Sequence, residues 1–180
     1  VGTSGVTVGR DITVASSGTG TTTLGGNFSS GTGTFTGNVT LNKAATFTAE
    51  GTSNITFSTG VIGGTGNLTK AGAGTLTLAG NNSAFTGAVA VTAGTLNAQG
   101  SGNALGTGTA GTTVSSGATL ALQGGLSFTN GTLTLAGTGV GGVGALTNVS
   151  GSNTWNNSLT LSDNATIGSQ AGTLTLGPVR

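Results

Sequence analysis

The sequence predicts an all-β chain wound into a right-handed parallel β-helix, a solenoid with coils of roughly 20–25 residues. Three observations predict it. Apolar residues alternate with small polar ones in short runs such as Thr75-Leu76-Thr77-Leu78 and Val89-Ala90-Val91, the period of a half-buried strand. Glycine, 38 of 180 residues, separates these runs and supplies bends at little conformational cost. A local unit also recurs: an apolar residue, five residues ending in Thr, then a second apolar residue. It spans Val8–Val14, Leu41–Phe47, Val114–Leu120, Val149–Trp155 and Leu161–Ile167, and it returns one residue shorter as Val91–Leu96 and Phe128–Leu133. A further piece, Gly-Thr-Leu-Thr-Leu, stands at 74–78, 131–135 and 172–176, spacings compatible with about three and two turns of roughly 19–21 residues.

Taken in order, the opening residues alternate as Val6/Val8 and Ile12/Val14, then pass through a Ser/Gly/Thr stretch to Leu24. Residues 25–36 read as loop-rich, anchored by Phe28 and Phe35. The opening unit returns at Val39/Leu41 and Phe47, followed by Ile55/Phe57. The stretch Gly64–Ala98 holds the clearest strands. Residues 99–112 read as a Gly/Ala/Thr loop broken by Leu105, and 137–145 as the widest loop of the chain. Apolar anchors continue through Leu146, Val149, Trp155, Leu159/Leu161, Ile167 and Leu174/Leu176. No linker divides the chain, so residues 1–180 read as one solenoid segment, a fragment of a longer protein or a fibre subunit. Seven to nine stacked coils, about 4.8 Å apart, bury aliphatic rows that no single thick core could gather from so few aromatics. A β-sandwich is the alternative fold, but its strongest hairpin signal occurs once, at Asn130-Gly131.

Composition narrows the function. Charged residues make up 4% of the chain and the net charge is +1, which gives no footprint for nucleic acid or an anionic membrane. Cysteine and histidine are absent, so neither a disulfide framework, nor a thiolate metal site, nor a Ser-His-Asp device is available. The acids Asp11, Glu50 and Asp163 fall in different units, where they read as solvated turn residues and not as a catalytic or calcium-binding pair. No cofactor, metal or catalytic residue is expected. No apolar run approaches the ~18 residues of a membrane span.

Gly64–Ala98 resembles the passenger-associated repeat of bacterial autotransporters. Its first half is matched by Gly66, Leu68, Thr69, Lys70, Gly72, Gly74, Thr75, Leu76, Thr77, Leu78, Gly80 and Asn82. The continuation is matched by Phe85, Gly87, Val89, Val91, Gly94, Thr95 and Leu96, with Phe85 where tyrosine is commoner. Within this set Leu68, Lys70, Gly74, Leu76, Leu78, Gly80, Asn82, Phe85, Gly87, Val89, Val91, Gly94 and Leu96 are the expected structural residues of the repeat. The resemblance implies a parallel β-helix carried out of a Gram-negative cell by a C-terminal barrel, and an extracellular or outer-surface location. It also implies a structural part, a stalk, fibre or adhesin scaffold, to which activities are added elsewhere.

The expected function is therefore structural and not enzymatic. Expected partners are further copies stacked end to end into a homo-polymer, or a host or matrix glycan or protein. A binding module for glycan or ice, using a Thr/Asn-rich face, is the alternative. The Thr pairs 75/77, 132/134 and 173/175 lie two or three coils apart on the spacing above, which favours Thr as the ordinary outward residue of a strand. Trp155 is expected in the core. The eight Asn-x-Ser/Thr triplets, at Asn27, Asn38, Asn54, Asn67, Asn81, Asn148, Asn156 and Asn164, read as turn-then-strand signatures and not as glycan acceptors.

Overall fold

A computed structural model describes residues 5–27 and 31–180. The described residues form a parallel β-solenoid of about seven turns, with a single short 3-10 turn at Val140–Gly142 and otherwise only strands and turns. Every strand pairing is parallel, from coil to coil. Each coil visits three faces in turn. The first face stacks Thr7–Val8, Thr32–Phe35, Asn54–Phe57, Thr75–Leu78, Thr95–Ala98, Thr119–Gln123, Leu146–Ser150 and Ile167–Ser169. The second begins with Ile12–Val14, Val39–Leu41 and Ile62–Gly64 and resumes with Ser127–Phe128, Asn153–Trp155 and Leu174–Leu176. The third runs from Thr22–Asn27 through Ala45–Glu50, Leu68–Ala71, Val89–Val91, Thr112–Val114 and Leu133–Gly137 to Leu159–Ala165.

Where the second face lacks strands, single contacts carry it across. Gly64 bridges to Phe85, the Thr86 amide donates to the Gly64 carbonyl at 2.9 Å, and the Thr107 amide donates to the Phe85 carbonyl at 3.0 Å. The loop expected over 99–112 is this interruption. Residues 25–36, expected to be loop, instead contribute the strands Thr22–Asn27 and Thr32–Phe35. Their Gly-rich sequence carries little alternation of its own; pairing with Ala45–Glu50 and Asn54–Phe57 in the next coil extends them. Phe28 lies outside the described residues.

Register explains why the coils keep no fixed length. Paired residues are 20 positions apart at Thr75 and Thr95 but 27 apart at Thr7 and Thr34, wider than the 20–25 expected. Corners absorb the difference, because only the strand positions must match their neighbours.

The recurring apolar unit turns out to be a corner and not a coil. Leu41 ends a second-face strand and Phe47 lies within the next third-face strand; Val91 and Leu96 straddle the corner from third to first face. The unit fixes two inward side chains on either side of a bend, so it recurs wherever any face gives way to the next. The three Gly-Thr-Leu-Thr-Leu pieces likewise fall on the first, third and second faces respectively, so they are not equivalent positions of successive coils.

Inside, like stacks on like. Phe35 lies on Phe57 with centroids 4.6 Å apart and planes 9° apart, and Phe47 packs on the same ring at 5.1 Å. That column continues upward as Leu78, Ala98 and Leu122, while Ile55, Leu76, Leu96, Leu120 and Leu146 form a second. On the second face Trp155, fully buried, stacks on Phe128 at 6.2 Å, in the core as expected. Burial of aligned aliphatics together with coil-to-coil amide ladders holds the prism. Truncation of Leu76, enclosed between Ile55 and Leu96 and 1% exposed, leaves a cavity that neighbouring coils cannot collapse into. Leu76→Ala is expected to cost about 2–5 kcal/mol, read as a lower urea midpoint with an unchanged far-UV spectrum.

Candidate functional site

Residues 68–98 hold two buried polar side chains, Lys70 and Asn82, and each bonds backbone groups of more than one coil. Leu68, Leu76, Leu78, Val89, Val91 and Leu96 point inward, each no more than 1% exposed, and Phe85 is 2% exposed. Gly74, Gly80 and Gly87 stand where the preceding coil passes too closely for a side chain. A Cβ on Gly87 would come 2.3 Å from the Gly66 carbonyl oxygen. Gly94 adds a second requirement, a φ of +63° at the corner into the first face.

Lys70 occupies an inward position of the third face, in register between Phe47 and Val91, and is fully buried. Its stem lies among apolar side chains while its ammonium turns to the corner. There Nζ donates to the carbonyls of Ala71 (2.8 Å), Gly72 (2.7 Å) and, one coil on, Ala93 (3.0 Å). Three donors meet three acceptors, so the ammonium is saturated. Burial lowers its pKa from 10.5 to about 8, against the opposing attraction of Glu50. Asn82 acts as a second clamp. Its Oδ1 accepts from the Ile62 amide in the coil before (2.7 Å), and its Nδ2 donates to the Ala104 carbonyl in the coil after (2.6 Å), so one side chain ties three coils.

Corner Asx residues do the same elsewhere. Asp11 Oδ1 accepts from the Asn38 amide at 2.7 Å, Asn38 Oδ1 from the Val61 amide at 3.1 Å, and Asn67 Oδ1 from the Ala88 amide at 3.0 Å. Asn38 and Asn67 each immediately precede a strand, as the turn-then-strand reading of the triplets expects, whereas Asn27, Asn54, Asn148 and Asn164 lie within strands, where pairing with the adjoining coil decides the backbone. Asp11, Glu50 and Asp163 are all exposed. Asp11 joins this ladder, Glu50 is bonded by the Thr48 hydroxyl, and Asp163 accepts from the Asn164 amide. Among the described residues no three acids, histidines or cysteines gather as a metal site. A cavity of about 100 Å³ on the third face is lined by Thr21, Thr22, Ala44, Ala45, Thr46 and Thr69, and it offers no ionisable group.

The outward side of the first face has an order that spacing along the chain does not reveal. Pairing register aligns Thr32, Asn54, Thr75, Thr95 and Thr119 in one column and Thr7, Thr34, Thr56, Thr77 and Asn97 in another. Four adjacent coils thus present a two-by-four grid of hydroxyls and amides. The far end of the grid is covered by residues 138–144, a glycine-rich strap. The Thr119 hydroxyl, 1% exposed, accepts from the Val140 amide at 2.8 Å and donates to the Gly144 carbonyl at 2.9 Å. The wide loop expected at 137–145 is therefore a folded cover. Thr pairs at 132/134 and 173/175 belong to other faces; the true neighbours of Thr75 and Thr77 are Asn54, Thr56, Thr95 and Asn97.

Residues 68–98 match the family model described as passenger-associated-transport-repeat. No curated protein and no solved structure matches the chain.

Two expectations test the repeat's internal logic. Unfolded Lys70 titrates near 10.5 and folded Lys70 near 8, so between these values the unfolded chain binds the extra proton and stability rises with pH. Below about pH 8 the burial cost of the charge is fully present. The urea midpoint should therefore climb from pH 7.5 to pH 10, and Lys70→Met should flatten that climb. At the close approach, Gly87→Val is expected to destabilise by about 1–3 kcal/mol. Gly20→Ala, where a Cβ meets open space, should stay within about 0.5 kcal/mol of the parent in the same melts.

Proposed function

We propose that this solenoid is a rigid structural segment of a bacterial autotransporter passenger, held outside a Gram-negative cell as a stalk or adhesin scaffold. One observation carries the reading: the matched repeat, residues 68–98, lies in the middle of an unbroken coil-to-coil ladder and contributes strands to the first and third faces on both sides of it. The repeat is thus an integral stretch of the prism and not an appended module. Its inward residues, corner glycines, Lys70 and Asn82 all serve to lock one coil to the next. Such a body transmits position along its axis. Strands that bond only to neighbouring coils suit a chain that emerges progressively through a membrane, since each added coil finds its template in the one just formed.

Low charge supports an extracellular setting. Of the basic residues, Lys70 is fully buried and Lys43 donates to the carbonyls of Gly18 and Gly20, which leaves few sites for trypsin-like proteases. The test is to express the complete gene in a Gram-negative host and probe intact cells with an antibody raised against residues 1–180. Labelling of unpermeabilised cells that trypsin removes only slowly is the expected result. Labelling that appears only after the outer membrane is breached would overturn the reading.

A further inference from the structure

We infer that the outward grid on the first face binds crystalline ice, presenting ranks of hydroxyls and methyls that hold water in an ordered layer. The argument begins with spacing. Strands of adjacent coils lie about 4.8 Å apart, and two outward residues on one strand lie about 6.6 Å apart. Because Thr75 pairs with Asn54 and Thr95, and Thr77 with Thr56 and Asn97, this two-dimensional repeat is held without slippage over adjacent coils.

The chemistry of the grid selects the ligand. It contains no charged side chain, and β-branched Thr is stiff at χ1, so each hydroxyl and each methyl holds a fixed place. Among the described residues the hydroxyls of Thr75 and Thr77 bond to no protein group. Thr119, in the same column as Thr75, shows what such a hydroxyl does when met: it donates and accepts at once, to Gly144 and from Val140. That double role is what a water lattice demands of every contact. The grid ends at Asn97, whose Nδ2 donates to Gln99 Oε1 (3.3 Å) and Gln123 Oε1 (3.2 Å), because the next two positions of its column, Ala121 and Thr147, are buried.

A sugar polymer is the less suitable occupant. Carbohydrate platforms rely on exposed aromatic rings beside their hydrogen bonds, and here Phe35, Phe57 and Trp155 all face the core. The third face also carries outward Thr, at Thr23, Thr46, Thr69, Thr113, Thr134 and Thr160, but its second column, Gly25, Thr48 and Ala71, holds one hydroxyl in three coils. The first face alone among those described has the second column over four adjacent coils.

The experiment measures freezing-point hysteresis and the partition of the 180-residue chain into slowly grown ice, with Thr56→Lys and Thr77→Lys in the grid and Thr134→Lys on the third face. Far-UV spectra and melting temperatures establish that each variant folds. The parent chain and Thr134→Lys are expected to enter ice and to show hysteresis, and each grid variant to lose at least half of both. Absence of hysteresis and of partition in the folded parent would overturn the inference. So would equal loss in Thr134→Lys, or a glycan-array signal from the parent that the grid variants abolish while it shows no ice binding.

Discussion

Everything in this molecule depends on how closely one coil can lie on the next. Strand ladders require a fixed separation of about 4.8 Å, and the chain must keep that separation around three bends in each turn. At the bends a carbonyl of the preceding coil points at the backbone above it. On Gly66 the nearest atom to a would-be Cβ is the Lys43 oxygen at 2.1 Å, and on Gly87 it is the Gly66 oxygen at 2.3 Å. A side chain there would lift the coil and break the ladder on both adjoining faces. At these close approaches glycine is a requirement of stacking and not of flexibility.

The corners also concentrate polar groups that strand pairing leaves unsatisfied. Buried carbonyls and amides without partners are costly, and the chain meets them with a few side chains that reach between coils. Lys70 gathers three carbonyls, Asn82 joins three coils, and Asp11, Asn38 and Asn67 each accept an amide of the next coil. Lys70 is the most demanding of these, since it puts a charge behind the third face among Phe47 and Val91. The interior tolerates it because the stem is apolar and all three protons are engaged.

Much of this was legible in the amino-acid order, and the rest was not for a definite reason. Alternation marked the strands, and the repeat around Lys70 marked the fold. Between Val91 and Leu96, or Leu41 and Phe47, the spacing was real but described a corner, because the inward residues on either side of any bend obey the same geometry. Chain distance alone cannot say which face a corner leads to. The Gly-Thr-Leu-Thr-Leu copies therefore appeared to be successive turns of one surface when they lie on three. Strands such as Thr22–Asn27 left even less trace, since neighbouring coils impose their extension. The Thr/Asn grid belongs to the same class: it exists only once register is known, as Thr77 has no sequence signal pointing to Thr56 rather than Thr134.

Strand length then decides how much each face can display. A strand such as Val89–Val91 buries its two ends and shows one residue. Thr75–Leu78, one residue longer, buries two and shows two. Over several coils the first arrangement gives a line and the second a lattice. Folding uses only the inward half of either strand, so the outward half is free to vary without cost to the core. Where that freedom is spent on Thr and Asn at both positions, as in Asn54–Phe57, Thr75–Leu78 and Thr95–Ala98, the regularity that stabilises the interior is transferred to the surface. The regular separation of the coils thereby sets a two-dimensional repeat of outward side chains.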